Sequence, residues 1–545
     1  MPISDLMTLP DFEAHYPLRT ELPAGGEITR VAPSPTGLPH VGTALQAVID
    51  RALAAKTGGR FLLRIEDTDR ARTVPGSVEA IFEGLRWLDL MPDEGPEIGG
   101  NYGPYVQSER LPIYKAAARW LVERGHAYHC ICTPERLEHV RREQTEAGKP
   151  PKYDGLCRTR PIAEVEAHLA AGLPGVIRMR VPEDETIRVV DAVRGELSFE
   201  SSTLDESVLL KSDEFPTYHL AAVVDDHFMR VTMIVRGEEW ISSAPKHLLL
   251  YRYFGWEAPV FLHTVLLRDA TKRKLSKRSG DTSIRWFRLQ GYLPEGFRNF
   301  LTRIIWAHPE GKDVYPFDDF IANVVPEDLP KTGPVADYQL LSFINGKYIA
   351  ALGPRELHQT LVGYLDYAIA QNEEPLRIML VETPNQEIKE YPLAELRAFR
   401  AALVADREYA ERVLSLEPGR FRRLADIVGY TAYLFPDLFV PPAADTLTLF
   451  VPELPALAQV LDGLALDPHR EPNHEVWEAS VRALAEQTGI AAKKVFMLLR
   501  VVLTGSQKTP PLYEIIELLG VNETNRRIRE AEQRVLAAGG AASPR

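Results

Sequence analysis

The sequence predicts a Rossmann-type α/β domain that is split by an α/β insertion and followed by a connecting fold and all-α C-terminal domains. Three observations predict this arrangement: a strand, loop, helix and strand near the N-terminus, a central segment of different texture, and helical periodicity after about residue 330. A strand, helix and strand in succession form a parallel βαβ unit. At roughly 100 to 200 residues per domain, the 545-residue chain has room for roughly three to five domains.

The first βαβ unit is predicted over residues 27–65. Residues 27–32 predict a short strand, and the loop that follows is rich in proline and glycine. Apolar residues then recur at helical offsets over residues 41–52, which predicts an amphipathic helix that Gly58 can end. Residues 61–65 predict the second strand. The N-terminal lead of 29 residues, which overlaps the start of this strand, is acidic and contains proline, so we expect a loosely packed extension.

The segment from about residue 106 to 217 has charged helices and all three cysteines, and it reads as an insertion between two halves of a sheet. After it, residues 218–224 and 231–236 have the texture of buried strands, and residues 243–254 that of a helix. Strand-like runs lie inside the insertion at 176–181 and 187–193, and the clearest helical periodicity of the C-terminal part lies at 396–416, 476–488 and 491–503.

The composition excludes several classes of protein. With 63 Lys and Arg against 76 Asp and Glu, the net charge is -13, which argues against a protein that coats nucleic acid indiscriminately. Only three cysteines occur, so a secreted disulfide scaffold is excluded and a reducing compartment is favoured. No apolar run is long enough for a membrane span, and no secretory signal is visible. We therefore expect a cytoplasmic protein, acting as a monomer without a membrane partner.

Two segments suit the binding of a polyphosphate. The first, HVGT at 40–43, opens the first predicted helix, where free backbone N–H groups and the helix dipole attract an anion. The second, residues 272–278, has five cations in seven positions beside small residues, which suits a mobile loop that closes on phosphates. Taken separately, each segment has a more ordinary interpretation: residues 40–43 as a structural turn, and residues 272–278 as a solvated charged surface.

Together, HVGT at 40–43 and KLSKR at 274–278 resemble the two signatures of class I aminoacyl-tRNA synthetases, in the right order and separated by an insertion. Further stretches resemble the glutamyl-tRNA synthetase family, and the resemblance covers about residues 30–535. These stretches are RVAPSPTG at 30–37, RIEDTDR at 64–70, FPTYHLA at 215–221, VDD at 224–226, RGEEW at 236–240, LTG at 503–505 and TPPL at 509–512.

The resemblance implies ATP-dependent attachment of glutamate to tRNA(Glu) in two steps. Glutamate attacks the α-phosphorus of ATP, with Mg²⁺ and lysines stabilising the pyrophosphate, and the terminal ribose of tRNA then attacks the glutamyl adenylate. His40, Lys274 and Lys277 are the expected catalytic residues. The residues that the resemblance places beside ATP are His40, Gly42, Glu239, Leu267, Lys274, Ser276, Lys277 and Arg278.

The chemistry of glutamate indicates its own binding residues. Its carboxylates need a fixed guanidinium, and Arg30 and Arg236 end two predicted strands beside the expected crevice. Its ammonium needs an acid, for which Glu66 is the candidate. The alternative is that the two arginines only pair with nearby acids such as Asp67 or Glu238. The resemblance implies a glutamate pocket formed by Arg30, Ala32, Ser34, Glu66, Tyr218, Ala222 and Arg236.

The cysteines favour a structural Zn²⁺ site, because all three in the chain fall within one short segment and zinc requires four N, S or O ligands. Some relatives have Cys-x-Cys and then a third Cys followed two residues later by His, but position 159 here is Thr. A tyrosine at the position of Tyr153 resembles a ligand in the shorter glutamyl-queuosine paralogues. Free cysteines are the plain alternative, and His126 and His129 are possible substitute ligands. The predicted ligands are Cys130, Cys132, Tyr153 and Cys157.

The resemblance also divides the chain into domains and assigns tRNA contacts. An extension (1–29) precedes a Rossmann domain (30–105 and 218–267), which is split by an acceptor-binding insertion (106–217). A stem-contact domain (268–350) leads to two helical anticodon-binding domains (351–440 and 441–545). Anticodon bases are read by stacking and by hydrogen bonds to their edges. The candidates for that work are Arg420, Arg422, Arg500, Thr509, Pro510 and Leu512, the first two being alternatives for one role.

Four other functions share parts of this sequence pattern. Glutaminyl-tRNA synthetase shares the catalytic core but would carry β-barrel anticodon domains, which the helical texture after residue 330 disfavours. A non-discriminating form would also charge tRNA(Gln) with glutamate. The glutamyl-queuosine enzyme lacks a C-terminal half, so the length of this chain excludes it. A catalytically inactive RNA-binding protein is disfavoured because the signature residues are intact.

Overall fold

The computed structural model describes residues 4–275, 282–381, 387–467 and 473–541. These fall into two compact units: unit 1 contains residues 1–286 and 297–337, and unit 2 contains residues 287–296 and 338–545. Unit 1 is α/β and unit 2 is mainly helical, so the fold class predicted from the sequence is confirmed. The finer domain boundaries stay predictions.

The N-terminal extension is packed, so the prediction of a loose segment is wrong. Its helix α1 (Leu9–His15) belongs to the main hydrophobic core of unit 1. Phe12 and Tyr16 are fully buried, and the Tyr16 hydroxyl donates a hydrogen bond to the Gly103 carbonyl oxygen at 2.8 Å. The spacing of Leu9, Phe12 and Tyr16 places all three on one helical face. This spacing could have predicted a packed helix, but the acidic composition of the segment favoured a loose extension.

The first βαβ unit forms as predicted. Strand β1 (Ile28–Val31) pairs in parallel with β2 (Arg60–Leu63), and α2 (Val41–Thr57) connects them. Gly58 ends α2 in the left-handed conformation, with φ of 70°, and its N–H bonds back to the carbonyls of the last turn. The connection therefore places the N-terminus of α2 at the carboxyl ends of the two strands, the usual ligand edge of such a sheet.

Two more sheets complete unit 1. One is antiparallel in the order β3-β4-β7, and the other has the order β6-β5-β9-β8, with β8 and β5 both parallel to β9. The remaining helices and strands up to residue 337 are α3 (Ser77–Trp87), α4 (Leu111–Glu123), β3 (Ala127–Cys130), α5 (Pro134–Glu146), α6 (Ile162–Ala170), β4 (Val176–Met179), β5 (Thr186–Asp191), β6 (Gly195–Glu200), β7 (Val208–Leu210), α7 (Tyr218–Phe228), β8 (Met233–Gly237), α8 (Ala244–Phe254), β9 (Val260–Thr264), α9 (Ile284–Leu289), α10 (Pro294–Ile305) and α11 (Phe317–Asn323).

The parallel pair of β1 and β2 lies beside the mixed four-stranded sheet. The backbone N–H of Thr232, just before β8, donates to the Ile28 carbonyl oxygen at 3.0 Å, so β1 and β8 begin next to each other. Arg30 and Arg236 are each the next-to-last residue of their strand. The predicted split sheet is therefore present, and the hairpin of β5 and β6 from the insertion extends it through β9.

Residues 218–224 were predicted as a buried strand but form most of helix α7. Leu220 through Val224 are all buried, so this helix has no polar face to reveal its 3.6-residue period. A short apolar run of this kind cannot be assigned by periodicity alone. The error matters for the site, because α7 places Tyr218 in its first turn and carries Asp225 and Asp226 on its buried side.

The helical prediction for the C-terminal part is confirmed in unit 2. The predicted helix over 396–416 is two helices, because Asp406 interrupts it and its carboxylate accepts from the Tyr409 backbone N–H at 3.0 Å. The strands described there form one antiparallel pair. In order, the elements are α12 (Tyr338–Ala351), α13 (Pro354–Ala370), β10 (Leu376–Met379), β11 (Ile388–Tyr391), α14 (Leu393–Ala405), α15 (Arg407–Ser415), α16 (Leu424–Thr431), α17 (Ala444–Thr448), α18 (Leu454–Gly463), α19 (His474–Thr488), α20 (Ala492–Thr504) and α21 (Leu512–Ala541), the last interrupted at Gly520.

Within the described ranges, none of these helices combines the length and the apolar character that crossing a bilayer requires.

Candidate functional site

A cavity of about 380 Å³ lies at the N-terminus of α2 in unit 1. This volume falls in the range of about 300 to 1,000 Å³ that is typical of small-molecule sites. Five of the residues that the sequence analysis placed beside ATP line it, and they come from the start of α2, the end of β8 and the segment after β9. These five are His40, Gly42, Glu239, Leu267 and Lys274.

His40 is the N-cap of α2. Its Nδ1 accepts a hydrogen bond from the Gly42 backbone N–H at 3.1 Å. Since Nδ1 is the acceptor, the ring proton of the neutral imidazole is assigned to Nε2, which can donate to an anion. The cap thus fixes the orientation of the ring at the positive end of the helix dipole, where a phosphate is favoured.

The cationic segment reaches the same cavity through Lys274. Its Nζ lies 3.9 Å from the Glu239 carboxylate, and the side chain remains largely exposed. Such a loose exposed pair contributes little to stability, so the ammonium can move to a phosphate at low cost. Ser276, Lys277 and Arg278, the other predicted members of this segment, lie outside the described residues.

Arg236 has one nitrogen without a partner. Its Nε bonds to Nε2 of His263 at 3.0 Å, and its Nη1 bonds to Nδ1 of His247 and to the Tyr218 hydroxyl, both at 3.1 Å. Its Nη2 is buried and has no hydrogen-bond partner among the described residues. A buried donor without a partner costs about 1 to 3 kcal/mol, which a bound acceptor would recover. Arg236 is therefore arranged to receive a carboxylate.

Arg30 lies in the predicted place but is already paired. Its Nε and Nη2 bond to Asp226 at 2.9 and 3.3 Å, and its Nη1 donates to the Val235 carbonyl oxygen at 3.1 Å. The acids named from the sequence as alternative partners bind other groups: Asp67 accepts from a backbone N–H, and Glu238 pairs with an arginine of the insertion. Arg30 therefore differs from Arg236 in having its charge neutralised by Asp226.

Glu66 and Tyr218 lie near these arginines. One Glu66 oxygen bonds to Nη2 of Arg64 at 3.0 Å, and burial raises the pKa of Glu66 against the opposing effect of that guanidinium. The charges of Arg236, Glu66 and Arg30 all act on the Tyr218 hydroxyl. The other predicted pocket residues are placed as follows: Ala32 is half-buried just after β1, Ser34 is exposed in the next loop, and Ala222 is buried in α7.

Sequence reasoning missed the buried ionic network behind this pocket. Asp226 binds Arg30 and also Nη1 of Arg64, at 2.6 Å. Burial alone would raise the pKa of Asp226, but these two guanidinium groups hold it below its usual value. Asp225 binds Arg110 at 2.6 Å. The pair of aspartates was visible in the sequence as the VDD stretch, but its partners lie more than a hundred residues away.

The three cysteines converge, and their sulfur atoms lie within 4.8 Å of one another. The Tyr153 hydroxyl is 3.5 Å from the sulfurs of both Cys130 and Cys132, and it accepts from the Cys157 backbone N–H at 2.8 Å. With Zn–S bonds of about 2.3 Å, a tetrahedral ion holds its sulfurs about 3.8 Å apart. The four predicted ligands therefore fit one Zn²⁺ ion.

The substitute ligands considered from the sequence do not join this cluster. Among the described residues, the group of close ligand atoms contains the three sulfurs and no imidazole. His126 instead stacks on the ring of Tyr253, with centroids 4.3 Å apart. His129 is half-buried in β3.

In unit 2, two of the six candidate anticodon residues line one open cavity. Arg420 and Thr509 line it, and Nη2 of Arg420 donates to the Lys508 carbonyl oxygen at 3.2 Å. Arg500 in α20 supports the segment from below, since its Nη1 donates to the Pro510 carbonyl oxygen at 2.8 Å. Leu512 is buried at the start of α21.

Arg422, the alternative to Arg420, is held differently. Its backbone carbonyl accepts from Nδ2 of Asn345 at 2.6 Å, and its side chain packs over Gly346, where an added Cβ would lie only 2.9 Å from it. The cavity beside Thr509 is lined by Arg420 and not by Arg422. Geometry therefore favours Arg420 as the member of the pair that faces a ligand there.

Comparisons with known proteins agree with this architecture. A family profile described as the catalytic domain of class I tRNA synthetases (E and Q) matches residues 28–342, and one for an anticodon binding domain matches residues 390–532. A glutamate–tRNA ligase from Gloeobacter violaceus is 54% identical, covering 96% of this chain and 99% of its own. One from Thermus thermophilus is 41% identical, covering 92% and 99%.

A solved structure of a glutamate tRNA ligase from Elizabethkingia meningosepticum, in complex with its amino acid, superposes with a TM-score of 0.76 at 31% identity. It covers 94% of this chain and is itself covered completely. The glutaminyl alternative is disfavoured by these relatives and by the helical texture of the described part of unit 2. The chain belongs to the glutamate–tRNA ligase family of class I tRNA synthetases.

Proposed function

We propose that this protein attaches glutamate to tRNA(Glu) in two steps. The α-carboxylate of glutamate attacks the α-phosphorus of ATP and pyrophosphate leaves. The terminal ribose hydroxyl of tRNA then attacks the carbonyl carbon of the glutamyl adenylate, and AMP leaves. The observation that carries the proposal is Arg236, whose buried Nη2 has no hydrogen-bond partner in the part of the chain that the structure describes. Arg236 lies on the strand that also leads to the cavity at the start of α2. The reaction then depends on positioning and on charge stabilisation.

For ATP, we propose that the phosphates bind at the N-terminus of α2. The Nε2–H of His40 and the Lys274 ammonium supply positive hydrogen-bond donors to them, with Lys277 and Arg278 joining from the same segment. Magnesium neutralises phosphate charge when bound. Glu239 is the carboxylate among the described residues that line the cavity. Since Mg²⁺ commonly binds through substrate phosphates and one or two carboxylates, this donor set fits.

For glutamate, we propose that Nη2 of Arg236 binds the side-chain carboxylate and that Glu66 receives the ammonium. The raised pKa of Glu66 fits this role, because a bound ammonium would add a second positive partner, beside Arg64, to a buried acid. The Tyr218 hydroxyl is shared with Arg236 and completes the polar wall. Ala32, Ser34 and Ala222 shape the remainder of the pocket. Arg30 joins β1 to β8 at the base of the pocket through its bond to the Val235 carbonyl oxygen.

For tRNA, we propose that the anticodon binds in unit 2 at the cavity beside Arg420 and Thr509, with Arg500, Pro510 and Leu512 forming the supporting segment. Arg422 is the alternative to Arg420 for the arginine that contacts an anticodon base. The insertion at 106–217 would contact the acceptor end. Basic stretches such as residues 266–290, with eight cations and two anions, would attract RNA to an otherwise acidic protein. We further propose that the protein acts as a monomer in the cytoplasm.

The test is a charging assay on the full chain with ATP, Mg²⁺, radiolabelled glutamate or glutamine, and purified tRNA(Glu) or tRNA(Gln). We expect glutamate on tRNA(Glu), with AMP and pyrophosphate formed only when tRNA and glutamate are both present. Charging of both tRNAs with glutamate would instead identify the non-discriminating form. Charging with glutamine would refute the proposal, and so would the absence of any charging.

The structural zinc is a separate part of the proposal. We expect protein purified without chelator to contain about one equivalent of Zn²⁺, because three thiols and a phenol can complete its tetrahedron. Burial raises the pKa of the Cys132 thiol to about 11 without metal. Coordination would therefore release thiol protons on binding. Cys132→Ser should remove most of the metal, as measured by atomic emission. A metal content below about a tenth of an equivalent in the unaltered protein would contradict this site.

A further inference from the structure

Arg236 is held between two histidines rather than by an acid. His263 accepts from its Nε through Nε2 at 3.0 Å, and His247 accepts from its Nη1 through Nδ1 at 3.1 Å. The third contact is the neutral Tyr218 hydroxyl. These three hydrogen bonds thus all join the guanidinium to uncharged groups, although the residue is only 4% exposed.

A second pair of residues fixes the protons of these imidazoles. Nδ1 of His263 donates to the Asp191 carboxylate at 2.6 Å, which leaves Nε2 as an acceptor for Arg236. On the other side, Nε2 of His247 lies 3.1 Å from Nδ1 of His219. Since Nδ1 of His247 accepts from Arg236, its Nε2 carries the proton and donates to His219. Each ring is therefore neutral in a single tautomer.

The surroundings keep these rings uncharged. Burial lowers the pKa of His247 well below its usual value, and the Arg236 guanidinium lowers it further. Burial lowers the pKa of His219 to about 4. Burial also lowers the pKa of His263, although Asp191 opposes that shift. At neutral pH the guanidinium thus has two rigid acceptors that carry no charge.

The two other arginines of the pocket show the contrast. Arg30 and Arg64 both bind the Asp226 carboxylate, so an acid of the protein itself neutralises their positive charge. An aspartate or glutamate in place of His247 would orient Arg236 equally well but would neutralise it. Imidazoles give the same geometry and leave the positive charge available to a ligand, and charge-assisted hydrogen bonds are about twice as strong as neutral ones.

We propose that His247 and His263, backed by His219 and Asp191, are positioning residues that orient Arg236 while preserving its charge, and that this arrangement selects a carboxylate side chain over the corresponding amide. The inference rests on the proposed function, since it takes Arg236 as the residue that meets the substrate side chain. Glutamine would present a neutral oxygen, and its NH₂ group, which is itself a donor, could not accept from the guanidinium. Discrimination between glutamate and glutamine then depends on residues that never touch either of them.

The decisive comparison is between His247→Asn and His247→Asp in the full chain. The Oδ1 atom of either residue can take the place of Nδ1, so both keep an acceptor for Arg236, and both lose the bond to His219. They have nearly the same shape, and they differ in charge and in the second terminal atom, which is an NH₂ donor in Asn and an acceptor oxygen in Asp. We expect the KM for glutamate to rise no more than about threefold in the Asn variant but by about thirtyfold or more in the Asp variant, which is about 2 kcal/mol. The kcat and the KM for ATP should change by less than about twofold.

Competition by glutamine supplies the second readout. In the Asp variant the ratio of kcat/KM for glutamate to kcat/KM for glutamine should fall by about tenfold. The reason is that glutamate, as the anion, loses its attraction to an unneutralised guanidinium, whereas neutral glutamine does not. Arg252→Gln, which removes a half-exposed arginine of α8 paired with Glu185, is the control and should match the unaltered protein. A matched effect of Asn and Asp on the KM and on the preference would overturn the inference.

Two further measurements keep the result interpretable. Thermal unfolding shows whether the His247 variants fold. If they do not, His263→Gln is used instead, because Gln Oε1 can occupy the position of His263 Nε2 and accept from Arg236. We expect His263→Gln to retain the preference for glutamate over glutamine, and loss of that preference would count against the proposal. Calorimetric binding of glutamate and glutamine is measured on the same proteins. Selective glutamate binding that responds to the charge at 247, without any tRNA charging, would refute the proposed function alone. The absence of selective glutamate binding in the unaltered protein would refute the inference.

Discussion

Replacing Arg236 by Gln should lower kcat/KM for glutamate about a thousandfold, which corresponds to about 4 kcal/mol. Its buried Nη2 lacks a hydrogen-bond partner among the described residues, and the groups that bond to its other two nitrogens are uncharged. The variant removes the charge and leaves the His247 and His263 acceptors without their donor. Most of the loss should appear in the KM for glutamate, and the KM for ATP should stay within about threefold. Initial rates of tRNA charging over a range of glutamate concentrations measure both.

Two further variants decide whether this effect belongs to the site. Arg236→Lys keeps the charge but cannot reach His263, His247 and the ligand together, so we expect it to recover only part of the activity. Arg252→Gln removes a half-exposed arginine paired with Glu185 and should change kcat/KM by less than about twofold. A loss below about tenfold in Arg236→Gln would show that another residue receives the side-chain carboxylate.

The features that the sequence predicted well are encoded locally. The strand, helix and strand of residues 27–65 form in order, because apolar periodicity and Gly58 mark their limits. The thiols converge because Cys130 and Cys132 are only two residues apart at the end of β3, and the phenol of Tyr153 bonds to the backbone of Cys157. Each of these features is determined by residues that lie close together in the sequence, so the sequence pattern alone could predict it.

The features that the sequence did not predict depend on contacts between distant segments. The acceptors of Arg236 lie in α8 and β9, and no spacing rule connects His247 and His263 to that strand. Asp226, the partner of Arg30, is 196 residues away. The apolar texture of α7 concealed a helix because all its sides are covered. Charge pairing inside a core is decided by which elements pack together, and only the folded chain specifies that.

Asp225→Asn should destabilise unit 1 by about 3 to 5 kcal/mol. Asp225 is fully buried, and its two oxygens accept from Nε of Arg110 at 2.6 Å, from the Tyr114 hydroxyl and from Nε2 of Gln107 at 2.9 Å. Nε of Arg64 lies 3.6 Å away. An asparagine has nearly the same shape, so no cavity forms. Its NH₂ group would face donors, and two buried guanidinium groups would lose a compensating charge.

The consequence can be located as well as measured. Chemical denaturation of the full chain should shift to a lower midpoint, and hydrogen exchange should accelerate in α4 and α7, the helices that carry Tyr114 and Asp225. Asp366→Asn is the matched control, because it makes the same change in an exposed pair with Arg400 in unit 2 and should cost less than about 0.5 kcal/mol. Equal effects of the two substitutions would mean that water or a relaxed backbone compensates the buried charges. The strong asymmetry we expect would show that the Asp225 carboxylate holds α4 and α7 together behind the pocket, on the helix that also presents Tyr218 to Arg236.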